Sequence, residues 1–514
     1  MSTRRVPALG LALAGLVSLA VPAGAEEPLS AIDWLSQSVA LPDALPGSAP
    51  FEPAITAGAG HEDIAVTMLD GPSPDATGLL APKVTGLPQA LWGLGRTDEI
   101  VALIRSERVE TLPALQALLN TLILAEADPP ADAGGRGTLL LARIDELLDV
   151  GALEQAAALL DAAGSAEPEL FRRSFDVALL TGTEDRACVQ MRQNPQLAPT
   201  FPARIFCLAR SGDWNAAALT LRTAQALGFV TEDEDALLSR FLDPELYEGD
   251  PPLPQPARPT PLVWRMLEAV GEPLPTNTLP LAFAQAELRD TAGWKSQVEA
   301  AERLARTGAI APNRLLGLYT DRKPAASGGV WDRVADVQAL DAALAAGDAQ
   351  AVAQILPGAW GRMVAAELEV PFATLFAAPL GKLALPPPVS ALAFRIALLS
   401  PDYKAAADAR APADTTESFL IGLALGAPDS AAPDSLGRAI APAFRAPSPG
   451  LEAQALVQDG RIGEAILLAI DQIATGLRGN LPLVTQGLSL LRSVGLEDAA
   501  RRTALELMLL ERRG

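Results

Sequence analysis

Leu147-Leu148-Asp149-Val150-Gly151-Ala152-Leu153-Glu154-Gln155-Ala156-Ala157 reads as the end of one helix, a tight turn and the start of the next. Before the glycine, Leu140, Ile144, Leu147 and Leu148 fall on one helical face. After it, Leu153, Ala156, Ala157 and Leu160 do the same. Glycine just past a helix adopts the left-handed backbone that ends the helix at low steric cost. Polar residues then open the next helix, and small residues on its inner face let two helices approach closely.

The same frame, glycine followed five residues later by a small or β-branched apolar residue, recurs along the chain. It runs from Gly95 to Ile100, Gly151 to Ala156, Gly212 to Ala217, Gly293 to Val298, Gly347 to Val352, Gly460 to Ala465 and Gly495 to Ala500, with Ser400 to Ala405 as a serine version. The last helix carries its own apolar stripe of Leu496, Ala499, Ala500, Thr503, Ala504 and Leu507. Alternation of the strand kind is scarce. The reading is an all-α chain, an irregular α-solenoid of stacked helix hairpins with a loop-rich N-terminal extension. The turns at Gly151 and at Val457-Gln458-Asp459-Gly460-Arg461-Ile462-Gly463-Glu464-Ala465 resemble the inter-helix turn of the tetratricopeptide-like helical repeats. Most frames here lie about 54 to 61 residues apart, longer than that family's 34. The resemblance therefore implies one hairpin per unit plus an extra helix or two.

Composition shifts divide the chain. Residues 26–90 hold nine acidic residues against one basic residue, Lys83, with frequent Pro and Gly. Trp34 and Trp92 suggest that this extension packs on the helical body. Residues 250–262 include six prolines between Pro251 and Pro261, which exclude helix and favour an extended polyproline conformation. That stretch reads as a semi-rigid linker; a docking motif for a proline-binding partner is the alternative. Helical-repeat blocks are expected over 91–249, 263–385 and 386–514, with Pro386-Pro387-Pro388 at the last joint.

Residues 1–25 read as a secretory signal. Arg4 and Arg5 precede a short apolar stretch from Leu9 to Ala20, and Ala23-Gly24-Ala25 is a small-residue cleavage site. The apolar stretch is short for a membrane span. The expectation is export to a periplasm, with cleavage after Ala25. Losing Arg4 and Arg5 takes the net charge from −22 to −24. So acidic a chain repels nucleic-acid backbones and anionic lipid, so neither nucleic acid nor stable membrane insertion is expected.

The chemistry-bearing residues are few. Cys188 and Cys207 are the only cysteines, and an oxidising compartment makes a disulfide the default. A helix capped near Thr183 that runs to Asn194-Pro195, followed by another from Thr200, would bring them level. A redox pair is the rival reading, but no Cys-x-x-Cys exists. The single histidine, His61, sits in the extension without a nucleophile motif. No zinc ligand set or calcium loop is legible, and no cofactor is expected. Thr231 with Glu234 forms a capping box, which accounts for Glu232-Asp233-Glu234-Asp235 as a helix start.

Glu417-Ser418 resembles the Glu-Ser pair of lytic transglycosylases, in which an alanine-rich superhelix precedes a catalytic domain. The resemblance implies Glu417 as a general acid of elevated pKa. The residues that follow, Phe419-Leu420-Ile421-Gly422-Leu423-Ala424, lack that family's Gly-Leu-Met-Gln signature. The favoured expectation is a non-catalytic scaffold or adaptor that binds an envelope protein, through a basic segment, along a concave acidic surface. A peptidoglycan-directed protein is the alternative, and a carrier of small ligands or peptides is a third.

Overall fold

A computed structural model describes residues 73–164, 167–429 and 431–510. Over those residues the chain is all-α, with short 3-10 turns and no strand beyond an isolated bridge between Leu80 and Ala125. The signal segment, His61, Trp34 and most of the 26–90 extension lie outside the described residues.

Local chemistry sets the helix ends. Proline opens Pro113–Leu124, Pro168–Thr181, Pro261–Ala269 and Pro387–Leu398, where a missing N–H costs nothing. Asp213, Asp348, Asp414 and Asp434 cap others through their carboxylates. Thr231 and Glu234 form the anticipated capping box, with both reciprocal hydrogen bonds in place at 2.9 and 3.2 Å.

Five glycines of the recurring frame, Gly151, Gly212, Gly347, Gly460 and Gly495, have the left-handed backbone, with φ between 67° and 85°. Gly293 and Gly95 differ. Gly293 is extended, with φ −67°, and starts the Trp294–Arg306 helix rather than ending one. Gly95 makes room for a neighbour, since a Cβ there would run into the Glu464 carboxylate. At Gly151 both demands meet: φ is 76°, and a Cβ would lie 2.6 Å from Leu304 and 3.0 Å from Leu281. Gln285 Nε2 donates to the Gly151 carbonyl at 2.7 Å, and Thr307 Oγ1 to the Val150 carbonyl at 2.8 Å.

Successive helices stack on one another, and one contiguous apolar core runs through them. The path closes on itself. Pro113–Leu124 packs on Thr138–Asp149, which reaches the 3-10 segment Leu281–Leu288 and through it Trp294–Arg306. From there contacts pass through Pro312–Thr320, Glu369–Leu380, Pro387–Leu398, Tyr403–Asp408 and Thr415–Leu425 to Glu497–Leu509. Glu497–Leu509 then packs back on Pro113–Leu124. The stretch from Pro168 to Ala269 is an excursion from this circuit. Its first helix, Pro168–Thr181, touches both its last helix, Pro261–Ala269, and Leu281–Leu288.

The proline-rich stretch is fastened along that excursion. Leu253 N donates to Glu272 at 2.8 Å and Arg240 donates to the Pro251 carbonyl at 3.1 Å. The helices on either side of it, Glu232–Leu242 and Pro261–Ala269, pack together.

A strap from Ser73 to Leu80 lies across Thr138–Asp149. Asp75 accepts from Leu140 N at 2.7 Å, and Leu80 pairs with Ala125. Buried Arg143 donates to the carbonyls of Thr77, Ile123 and Ala125 at 2.7 to 2.9 Å. A guanidinium with three carbonyl acceptors is a satisfied buried charge, which is why it is tolerated there.

Candidate functional site

The circuit closes at a seam between the first helices and the last. Trp92 is 3% exposed and lies on Gly463, where a Cβ would run into its ring. Gly463 N donates to the Leu91 carbonyl at 2.8 Å, and a Cβ on Gly93 would lie 2.5 Å from Gly460. Ala114 N donates to Glu506 at 2.8 Å, and Arg461 joins Glu99 at 2.7 Å. The Thr97–Ser106 helix packs on both Thr138–Asp149 and Ile462–Leu477.

Four carboxylates are carried by the elements that pack at this junction. Glu107 follows the Thr97–Ser106 helix directly and occupies its C-cap. Glu146 and Asp149 belong to Thr138–Asp149, and Asp471 to Ile462–Leu477. Asp471 is exposed, Glu107 and Asp149 are half-buried, and Glu146 is only 4% exposed. Burial, and then the Asp471 charge, push Glu107 up to about 8. Burial, followed by the charges of Asp149, Glu107 and Asp145, raises Glu146 well above the ordinary carboxylate value. The Glu146 Oε1 atom is buried without a hydrogen-bond partner.

Several other buried carboxylates meet an arginine, whereas Asp75 and Glu506 accept from backbone N–H groups and Asp176 Oδ2 has no hydrogen-bond partner. Asp145 holds Arg173 at 2.5 and 2.8 Å, and Glu184 holds Arg265 at 3.0 Å. Glu302 takes Arg333 and the Tyr319 hydroxyl, each at 2.8 Å, and Glu464 takes Arg461. Glu146 has no such partner among the described residues.

Glu417 also meets an arginine. It is 7% exposed and accepts from Arg410 at 2.8 and 3.1 Å and from Ala413 N at 3.0 Å. Burial raises its pKa, but those hydrogen bonds and the Arg410 charge outweigh it, leaving the carboxyl below the ordinary value. A general acid needs the opposite shift. Its helix, Thr415–Leu425, is buried through Phe419, Leu420, Leu423 and Ala424, and Asp414 caps it.

Cys188 and Cys207 form a disulfide with their Cα atoms 5.0 Å apart, both side chains buried. It ties Glu184–Gln193 to Phe201–Arg210, where Thr200 caps the second helix through Ala203 N at 3.1 Å. Among the described residues no group of three His, Cys, Asp or Glu is arranged to hold a metal ion. No helix there is long and apolar enough to cross a membrane.

The frame and the seam define an all-α helical-repeat protein whose repeat path returns to its start. No known protein family, curated protein or solved structure matches the chain at a significant level.

The frames from Gly95 and Gly460 meet at the seam, whereas Gly151, Gly212, Gly293, Gly347 and Gly495 serve separate turns. Sequence reasoning singled out neither Glu107 nor Glu146. A signal for Glu146 was present: it shares a helical face with Leu139 and Ala142, both 0% exposed, inside a run of leucines.

Proposed function

We propose that the chain is an exported, non-catalytic periplasmic scaffold or adaptor, with tetratricopeptide-like repeats, that binds another envelope protein through a basic segment. Cleavage after Ala25 leaves a mature chain of net charge −24, and the buried disulfide suits an oxidising compartment. The observation that carries the reading is the distribution of charge on the helical frame. Many arginines, including Arg173, Arg265, Arg333, Arg410 and Arg461, are already committed to carboxylates of the chain itself, while the net charge stays strongly negative. A surface of that kind attracts a cationic partner and disfavours nucleic acid and anionic lipid.

The peptidoglycan-directed alternative rests on Glu417, whose carboxylate is occupied by Arg410 and held ionised. The test uses the mature chain as bait in periplasmic extract at low salt, with cross-linked contacts mapped by mass spectrometry. Contacts concentrated in lysine- or arginine-rich segments of an envelope protein support the reading. Release of cell-wall fragments by the wild-type chain, abolished in Glu417→Gln, would overturn it.

A further inference from the structure

Glu232–Leu242 and Pro261–Ala269 pack against each other, yet residues 243–260 are spent on joining them. Packed helices are usually joined by roughly 2 to 8 residues, and a much longer connection commonly serves a function. A spacer would have nothing to hold apart here. Four of the six residues 251–256 are proline, and Leu253 and Gln255 each precede one, which confines the stretch to the extended polyproline region. Burial follows the three-residue turn of that conformation. Leu253 and Pro256 are half-buried, whereas Pro251, Pro252, Pro254 and Gln255 are exposed. A bend at Ala257 and Arg258 then leads to buried Pro259. The ridge is also held in place. Leu253 packs on the core and its N–H donates to Glu272 at 2.8 Å, while Arg240, paired with Glu272, donates to the Pro251 carbonyl at 3.1 Å. Among the described residues those two are the only hydrogen-bonded backbone groups of residues 251–256, so the carbonyls of exposed Pro252, Pro254 and Gln255 have no donor.

Resting on the scaffold reading, we propose that residues 251–256 are a preformed proline ridge that docks into an aromatic-lined groove of the partner protein, with a basic side chain at the groove's rim. Tyrosine and tryptophan suit both needs of such a ridge. Their flat faces lie against the exposed proline rings, and the phenol O–H or indole N–H donates to the open carbonyls. Because the fold already holds the ridge extended, docking does not have to order it, and that saving raises affinity. The rim charge comes from the chain on the N-terminal side. A cleft of about 380 Å³ opens beside the Arg240–Glu272 pair, and exposed Glu245, Glu248 and Asp250 stand on its wall with Tyr247. Those acids at one end, and exposed Arg258 at the other, give the ridge a charge direction that fixes which way it lies in the groove.

The experiment is photo-cross-linking of the mature chain in periplasmic extract, with a benzoylphenylalanine in place of exposed Gln255 and the cross-linked residues mapped by mass spectrometry. Two synthetic peptides of residues 249–258 serve as competitors, one with the natural sequence and one with Pro252 and Pro254 replaced by alanine. Cross-links should enter an envelope protein at a surface bearing tyrosine or tryptophan. The natural peptide in excess should suppress them and the alanine peptide should not. Pro252→Ala with Pro254→Ala in the chain itself should weaken them by about tenfold or more, the loss expected for two ring contacts. If that double variant fails to fold, the peptide competition decides the matter on the chain with both prolines intact. Cross-links from position 255 that neither peptide nor variant alters, or that land on a second copy of this chain, would overturn the ridge. So would their absence while a photoreactive group elsewhere on the chain still captures an envelope protein, and the scaffold reading would then stand. Capture of no protein from any position would count against both.

Discussion

At the scale of single residues, the carboxylates of the chain differ in what surrounds them. Glu107 is pushed up to about 8 by burial and by Asp471. Asp176 is pushed up to about 7 by burial, which Arg172 and Arg173 only partly oppose. Both acids are therefore protonated more readily in the folded chain than in the unfolded one. Between the unfolded and folded values the native state holds more protons, so its stability falls as pH rises. The contribution is complete below the unfolded values of 4.5 for Glu107 and 3.8 for Asp176, and it is lost as pH climbs through about 7 to 8. Glu268, Glu417 and Glu497 have lowered values because arginines outweigh burial. Their stabilisation is present above 4.5 and is lost only as pH falls through their folded values. Urea unfolding at about pH 5 and about pH 8.5 should accordingly give the higher midpoint at the acidic value. Glu107→Gln should reduce that difference, leaving the share that Asp176 contributes. A midpoint that rises with pH over this window, unchanged in the variant, would contradict these assignments.

At the scale of elements, most of what the sequence implied is present, for reasons that lie within a few residues of chain. The hairpin about Gly151, the capping box at Thr231 and the helices that carry Cys188 and Cys207 depend on spacing and turn chemistry, which a sequence displays directly. Gly95 and Gly293 show where local pattern fails: the same frame met a different need, contact with Glu464 in one case and helix initiation in the other. The disulfide links neighbouring helices only 19 residues apart. Cys188→Ser should remove about 3 kcal/mol from that pair by the chain-entropy estimate for a loop of this size. Because stacked repeats depend chiefly on their neighbours, the loss should stay local. Hydrogen exchange should quicken in Glu184–Gln193 and Phe201–Arg210 and stay unchanged in Thr415–Leu425. Uniform loss of protection throughout the chain would show that the excursion is not an independent unit of stability.

At the scale of the whole molecule, the closed circuit is what the sequence concealed. Ala114 and Glu506 bond across 392 residues, and nothing local marks either as a partner of the other. Glu107 was obscured for the same reason: Asp471, whose charge adds to burial in raising it, arrives from the far end of the chain. The seam makes a prediction that an open solenoid would not. Gly463→Ala drives a Cβ into Trp92 and should destabilise by about 1–3 kcal/mol, as overpacking does. Faster hydrogen exchange should then appear in Thr97–Ser106, at the opposite end of the sequence. Exchange confined to residues near 463 would mean that the ends do not hold each other. The central claim, that an acidic helical frame recruits a basic partner, is tested most directly by the association rate of the mature chain with its cross-linked partner as salt is raised. Exposed charges are screened beyond about 8 Å at physiological ionic strength, so the rate should fall steeply from low salt while apolar contacts persist. An association rate indifferent to salt, or a partner that is itself acidic, would contradict the account.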